Sequence, residues 1–460
     1  MKIEQQSDRL GIEAIMPLLI KLSTPAIIGM IVQALYNIVD SIYVGRLSTE
    51  ALSALSLAFP IQLILVALGV GTGVGTSSLI SRLLGKGEEE RANNVAEHVV
   101  LISIGYGLII GIIGFFWADN LIHLFTNNTL LIDLGHKYMK IIMAGSLAIF
   151  IPMIFNSILR GEGNTFLPML TMVIGAGLNI FLDPFLIFGL GFFPKLGVAG
   201  AAYATVFSRL VSGIFITLVL FSDKNQVQLK LSKFKFDFQI IKEIYQVGFP
   251  AMVMRLLASI MLLGMNKIVS NYSTTAIAVV GIFFRLQSFI LLPVFGFNQG
   301  FLPIVGYNYG HNNPQRMKKT IIYGTSSAFC FTLIGFSIFQ LFPANLIKFF
   351  NQDPELIRIG TSALRKISFA YLLAGINIVG SATFQAIGKG FPSLLVSFLR
   401  QIILILPLMY LLGDLYGLNA VWFAVPIAEV ISFILLAVWL MSTLKKSFTH
   451  MEQKNSVQTS

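Results

Sequence analysis

Charge is what this sequence has least of. Only 12% of its 460 residues are Asp, Glu, Lys or Arg, where a soluble domain carries about 25%, which excludes an ordinary water-soluble protein. Cysteine is nearly absent. The single Cys330 lies in an apolar run, so no intrachain disulfide and no cysteine metal cluster can form. The five histidines show no metal-ligand spacing, and no Ser-His-Asp, metal or nucleotide motif is present, so nothing points to an enzyme. Also lacking are the ten-residue alternating segments of a membrane barrel. The polar start, Met1 to Gly11, precedes the first span without a small-residue cleavage site and is expected to be retained.

Apolar residues fill the space that charge leaves. They make up 55% of the chain, the mean hydropathy is +0.80, and apolar runs long enough to cross a bilayer recur throughout. Twelve helical spans are predicted, at about 20–44, 52–83, 94–118, 136–159, 167–190, 197–221, 244–270, 276–308, 319–343, 361–387, 391–414 and 418–442. The net charge of +11 does not imply nucleic acid, because most Lys and Arg lie in the short links. With the N-terminus inside, the inner links hold more of them, Lys2 and Lys233 included, which places both termini in the cytoplasm by the positive-inside rule. The expected organisation is an N-terminal segment 1–19, a first lobe 20–221, a cytoplasmic linker 222–243, a second lobe 244–442 and a polar cytoplasmic tail 443–460.

The halves repeat. Shifted by 225 positions, Pro25 falls on Pro250, Gly71 on Gly296, Gly75 on Gly300, Gly85 on Gly310 and Arg91 on Arg316. Glycines recurring at one offset in long apolar helices mark close helix approach. Six spans per half make both halves enter from one side, so the repeat is parallel, about an axis along the membrane normal. The closely spaced Gly69, Gly71, Gly73 and Gly75 lack the Lys-Ser/Thr ending of a phosphate loop and read as packing.

The repeat is broken at the carboxylates. Asp40 aligns with Met265, and the Asp183 region with Leu404-Ile405-Leu406-Pro407. A charged side chain at the centre of a membrane helix costs roughly 2.5–3.5 kcal/mol on insertion scales, so such residues are rare and functional by default. Gln33, Asn37 and Asp40 share a helix face, and Asn179 and Asp183 lie one turn apart. Counted along their helices at about 1.5 Å per residue, Asp40, Asp183 and Thr205 reach similar depth. Asp40, Asn179, Asp183 and Thr205 are therefore the candidate ion-coupling site, able to hold a proton or, as oxygen ligands, Na⁺. No other metal and no cofactor is expected. Pro25 and Pro184 offer places for helices to bend.

Candidates for the substrate cavity are Gln33, Tyr36 and Asn37 in the first half and Arg255, Arg285, Gln287 and Asn298 in the second. Arg209 and Arg400, also within predicted spans, can snorkel or pair across helix packing.

These pieces together resemble the multidrug and toxic compound extrusion (MATE) family, in its bacterial DinF- and MepA-like branch, over nearly all of residues 15–445. The resemblance is carried by Pro25 with Asp40, by Gly85-Lys86-Gly87, and by Leu178-Asn179-Ile180-Phe181-Leu182-Asp183-Pro184-Phe185-Leu186-Ile187-Phe188-Gly189. Gly197-Val198-Ala199-Gly200-Ala201-Ala202 and Gly281-Ile282-Phe283-Phe284-Arg285-Leu286 complete it. It implies an all-α, V-shaped exporter of twelve helices in two lobes, expelling lipophilic, often cationic drugs in exchange for H⁺ or Na⁺ by alternating access. It further implies a bacterial cytoplasmic (inner) membrane location and a functional monomer with small-molecule drugs and lipid as partners. Asp40, Asn179, Asp183 and Thr205 match the coupling positions of that branch. Arg255 departs from a cation-exporting pattern, since a buried positive charge repels such a ligand. The alternative is a flippase or exporter of an anionic lipid-linked or organic substrate of the same superfamily.

Overall fold

The computed structural model describes residues 9–191, 193–230, 232 and 234–459; Lys2 and Lys233, counted above among the inner-link cations, lie outside them. Ten helices are each long and apolar enough to cross a membrane, and two bent helix pairs complete twelve spans. The first lobe contains α1 (Ile15–Gly45), α2 (Thr49–Lys86), α3 (Glu89–His123), the bent pair α4 (Thr129–Ala144) and α5 (Ser146–Gly161), α6 (Phe166–Phe188) and α7 (Val198–Leu220). The second contains α8 (Phe238–Val269), α9 (Thr274–Gly310), α10 (Pro314–Leu341), the short α11 (Pro343–Lys348), the bent pair α12 (Pro354–Ser368) and α13 (Tyr371–Ala386), then α14 (Gly390–Phe398). A π-helical stretch, Leu399–Ile405, joins α14 to α15 (Leu406–Tyr416); the short α16 (Leu418–Val421) and the long α17 (Ala424–Thr459) close the chain.

The duplication governs architecture down to helix ends. Thr49 and Thr274 open α2 and α9, and Thr129 and Pro354 open α4 and α12, each pair 225 positions apart. The Ser48 and Ser273 hydroxyls, at the same offset, cap α2 and α9 by accepting from Ala51 N and Thr275 N, both at 3.0 Å. Such caps satisfy amides that a helix start leaves unpaired. The sharp bends are duplicated too, 52° between α4 and α5 and 50° between α12 and α13.

The breaks between paired helices fall away from the two prolines. Pro25 and Pro184 each lie inside one continuous helix, α1 and α6, while the chain breaks at Gly145 and around Phe369 and Ala370. Two further boundaries move. Asp237 caps α8, its side chain accepting from Gln239 N at 2.8 Å, so residues 238–243, read as linker, are helical. The segment read as a polar tail continues α17 to Thr459, because no Gly or Pro interrupts it after Pro426.

The lobes meet near the end that carries both termini, here called the basal end. A Cβ at Gly71 would sit 2.7 Å from the Gly248 carbonyl oxygen, and one at Gly296 would sit 2.8 Å from Ile27 Cα. Gly75 likewise abuts the Ile244 carbonyl, Gly85 that of Tyr307, and Gly310 that of Arg82. These pairings are repeat-related: Gly85 against Tyr307 mirrors Gly310 against Arg82. Gly69 and Gly73 turn the other way, toward Met153 and Ser157 of α5, so the glycine series serves both packed faces of α2. Cross-lobe hydrogen bonds from Ser23 Oγ to the Phe297 carbonyl (3.3 Å), from Ser78 Oγ to the Gln385 carbonyl (2.5 Å) and between the Tyr106 and Tyr245 hydroxyls (2.6 Å) are basal as well. Among the described residues, these interlobe contacts all lie in the basal halves of the helices, and the lobes diverge beyond them as a V.

The segment between the lobes is fastened to the first one. Glu162 Oε2 accepts from the backbone N–H of Gln226 and Val227, both at 3.1 Å. Asn93 Oδ1 accepts from Gln228 N (2.8 Å), Glu97 Oε1 from Lys230 N (3.1 Å) and His98 Nε2 from Asp237 N (2.8 Å).

Candidate ion-coupling site

The predicted polar residues of the first lobe converge because three helices pack side by side. α1, α6 and α7 bring Asp40, Asn179 with Asp183, and Thr205 to one place; the last three are buried within the lobe and Asp40 is half-buried. Asp183 is 0% exposed, Asn179 2% and Thr205 9%, so each polar atom needs a protein partner. Asn179 supplies two. Oriented to suit both neighbours, as hydrogen-bond networks require, its amide nitrogen donates to Asp183 Oδ2 at 3.0 Å. Its oxygen accepts from Thr205 Oγ1 at 3.3 Å and Thr205 N at 3.2 Å.

The two aspartates touch. Their carboxyl groups lie within hydrogen-bond reach of each other, yet neither Asp40 Oδ1 nor Asp183 Oδ1 has a donor among the described residues. Two carboxylates cannot bond one another unless a proton or a cation lies between them.

Around this pair lies a shell of aromatic and amide groups. Tyr36, 8% exposed, lies beside Thr205. Arg209, which sequence reasoning left between snorkelling and pairing, donates from Nη2 to Gln33 Oε1 at 3.1 Å and sits over the Tyr36 ring at 5.8 Å. Gln33 in turn donates to Asn37 Oδ1 at 3.5 Å, and Asn37 is exposed. Gln62 and Tyr138, which the sequence did not single out, are joined at 2.8 Å on the Asp40 side of the cluster. Nothing in their local spacing announces them, because they arrive from α2 and α4.

The second-lobe candidates separate. Arg255 and Arg285 are exposed and have no carboxylate within ion-pair distance among the described residues. Arg255 sits over the Phe295 ring at 5.7 Å. Gln287 and Asn298 are half-buried; by helical spacing they lie roughly opposite the faces that carry Arg285 and Gly296. The structure does not bring these four together with the aspartates.

A second buried polar cluster escaped the sequence reading. Glu429 on α17, 3% exposed, accepts from Arg400 Nη1 at 2.8 Å and from Asn377 Nδ2 at 2.7 Å. Asn377 Nδ2 also contacts Ser432 Oγ at 3.3 Å. Arg400 comes from the π-helical stretch, so the second lobe does contain an intramembrane carboxylate, but one neutralised by a guanidinium. The signal was the lone Glu in the last apolar run.

Comparisons with known proteins agree with this geometry. The MatE family model matches residues 25–185 and 250–411, two stretches beginning 225 positions apart. Multidrug export protein MepA of Staphylococcus haemolyticus is 29% identical, over 93% of each chain. An FAD transporter of Shewanella oneidensis is 27% identical, over 90% of this chain and 91% of its own. Among solved structures, a MATE crystal structure in the bent conformation superposes with a TM-score of 0.91 at 31% identity, covering 97% of this chain and 99% of that one. A MOP superfamily transporter from Pyrococcus furiosus, described as having a binding pocket of reverse polarity, gives 0.89 at 31% identity over 95% and 98%. With most of the chain matched in two repeated blocks and the whole fold superposed, the protein belongs to the MATE family of multi-pass membrane transporters and is not an enzyme.

Proposed function

We propose that this chain is an ion-coupled multidrug exporter of a bacterial cytoplasmic membrane, with both termini in the cytoplasm. The observation that carries the reading is the Asp40–Asp183 contact with two donor-less oxygens. Such a pair takes up a proton or Na⁺ and thereby changes the charge inside the first lobe. Asn179 holds Asp183 in place and Thr205 holds Asn179, so ion occupancy is transmitted to the packing of α1, α6 and α7. The basal closure makes the cleft open toward the far side, the state from which a drug is released outward and an ion enters. The MepA relatives support multidrug export as the activity.

The test is drug transport in proteoliposomes with the pH gradient and the Na⁺ gradient imposed independently, for the wild type and for Asp40→Asn and Asp183→Asn. We expect efflux to follow the pH gradient, with Na⁺ as the other candidate, and each variant to lose coupled efflux while remaining folded. Undiminished efflux in both variants would sink the site assignment. Arg255 and Arg285, two cations without carboxylate partners, favour a second reading in which the substrate is an organic or lipid-linked anion.

A further inference from the structure

The cleft wall that the second lobe contributes has a charge, and it is positive. Arg255 follows Gly248 by seven residues and Ile244 by eleven, so it occupies their face of α8. Those two residues touch Gly71 and Gly75 of the first lobe. Arg255 therefore points at the first lobe, one turn beyond Met252, where the helices begin to part. Arg285 precedes Gly296 by eleven residues and shares its face of α9, the face that meets Ile27. It lies roughly opposite Ala276 and Phe283, which are buried in the core of the second lobe. Both guanidiniums thus line the V.

Because Met252 against Gly71 and Gly296 against Ile27 are repeat-related contacts at one depth, the levels of the two arginines can be compared. Arg255 stands three residues above that level and Arg285 eleven, a separation of about 12 Å along the membrane normal at 1.5 Å per residue. Apolar rings flank them: Phe295 beneath Arg255 at 5.7 Å, and Phe289, one turn from Arg285, 55% exposed. No Asp or Glu occurs in α9, and the sole acid of α8 is Glu243 at its basal start. Of the first-lobe acids, Asp183 is fully buried and Asp40, half-buried, lies beside it.

We propose that the second-lobe wall is a binding site for amphipathic organic anions, in which Arg255 and Arg285 engage sulfonate, carboxylate or phosphate groups and Phe295 and Phe289 cover the aromatic part. The inference deepens the export reading and rests on it for the fate of the ligand. A guanidinium recognises planar oxyanions by paired, charge-assisted hydrogen bonds. With two such groups about 12 Å apart, the site suits a molecule with an anionic group at one or both ends of a flat apolar body.

Two rhodamine dyes separate charge from shape: anionic sulforhodamine B and cationic rhodamine 6G. Binding to the purified protein in detergent is read by fluorescence anisotropy, and transport is read separately in proteoliposomes. The wild type is expected to bind sulforhodamine B more tightly than rhodamine 6G. Arg255→Gln and Arg285→Gln should each weaken sulforhodamine B roughly tenfold, the scale of one charge-assisted hydrogen bond, and leave rhodamine 6G unchanged or tighter. Arg255→Lys should restore part of the loss, which a purely structural role for the position would not show. Preference of the wild type for rhodamine 6G, or equal effects of the substitutions on both dyes, overturns the proposal. If sulforhodamine B binds through the arginines but is not moved by any gradient, the anion site stands and the export reading fails. Displacement by naphthalenesulfonate assigns the site to soluble anions, and displacement by phosphatidylglycerol in nanodiscs to lipid headgroups.

Discussion

Arg91 and Arg316, 225 positions apart, each reach from one lobe to the start of the other. Arg91 Nη2 donates to Glu243 Oε1 at 2.7 Å, at the beginning of α8. Arg316 donates from Nε to the Leu10 carbonyl at 3.1 Å and from Nη2 to the Glu13 carbonyl, just before α1. Gene duplication has thus produced a pseudo-symmetric pair of clasps across the basal end. Around them the glycine contacts let backbones approach, so the closed basal face combines van der Waals packing with these clasps and the cross-lobe hydrogen bonds of Ser23, Ser78 and Tyr106.

Removing the clasps should open that face. A half-buried pair of this kind contributes about 1 kcal/mol, so Arg91→Ala with Arg316→Ala is expected to shift the equilibrium toward basal opening by roughly fivefold per clasp. Spin labels on Lys86→Cys and Lys389→Cys in a Cys330→Ser background should then report a larger long-distance population by electron paramagnetic resonance. An unchanged distance distribution would show that packing and the remaining cross-lobe hydrogen bonds hold the face shut without the clasps.

Thr205→Val should weaken ion coupling without abolishing it. The substitution removes the hydroxyl that donates to Asn179 Oδ1 and leaves that oxygen with the Thr205 N–H alone, a loss of about 0.5–1.5 kcal/mol. The concentration of the coupling ion giving half-maximal efflux is expected to rise about tenfold. The same half-maximum as wild type would place Thr205 outside the coupling network.

The attachment of the interlobe segment should respond to pH through Glu162. Burial pushes this carboxyl up to about 7, against the pull of the Val227 and Gln226 amides that donate to it. The docked state therefore binds a proton that a solvated glutamate, ordinarily near 4.5, has released. Docking is strongest below about 4.5 and is lost as pH rises through about 7. Hydrogen exchange at Gln226 and Val227, corrected for intrinsic rates, should accelerate across that window. Glu162→Gln, which keeps an acceptor oxygen and loses the titration, should flatten the response.

The Arg400–Glu429 pair should behave as a buried ion pair. Removing one partner strands a charge, at a cost of about 3–5 kcal/mol, so Arg400→Met and Glu429→Gln are each expected to lower the melting temperature in detergent clearly. Arg400→Met combined with Glu429→Leu should recover much of the loss, because no isolated charge remains. Additive losses in the double variant would contradict that account.

The amino-acid sequence by itself determined the solvent, the duplication and the acidic cluster. Scarce charge and long apolar runs leave a chain no choice but the bilayer, and the 225-residue offset named the very glycines that face the other lobe. Asp40, Asn179, Asp183 and Thr205 were legible because polar side chains in a membrane helix stand out against their neighbours and depth can be counted along a helix. Only the tertiary structure decided how they meet: that the carboxyls touch, that Asn179 bridges Asp183 to Thr205, and that Gln62 and Tyr138 join from other helices. It also decided which arginines find partners. Arg209 turned to Gln33 and Tyr36, Arg400 found Glu429, and Arg255 and Arg285, both exposed, have no carboxylate within ion-pair distance among the described residues. Periodicity tells which residues share a face, but whether that face meets a lobe core, lipid or an open cleft depends on helices hundreds of residues away. For the same reason the helix breaks at Gly145 and around Ala370 could not be read from the sequence. A proline removes one hydrogen bond, and the packing around it decides whether the helix gives way.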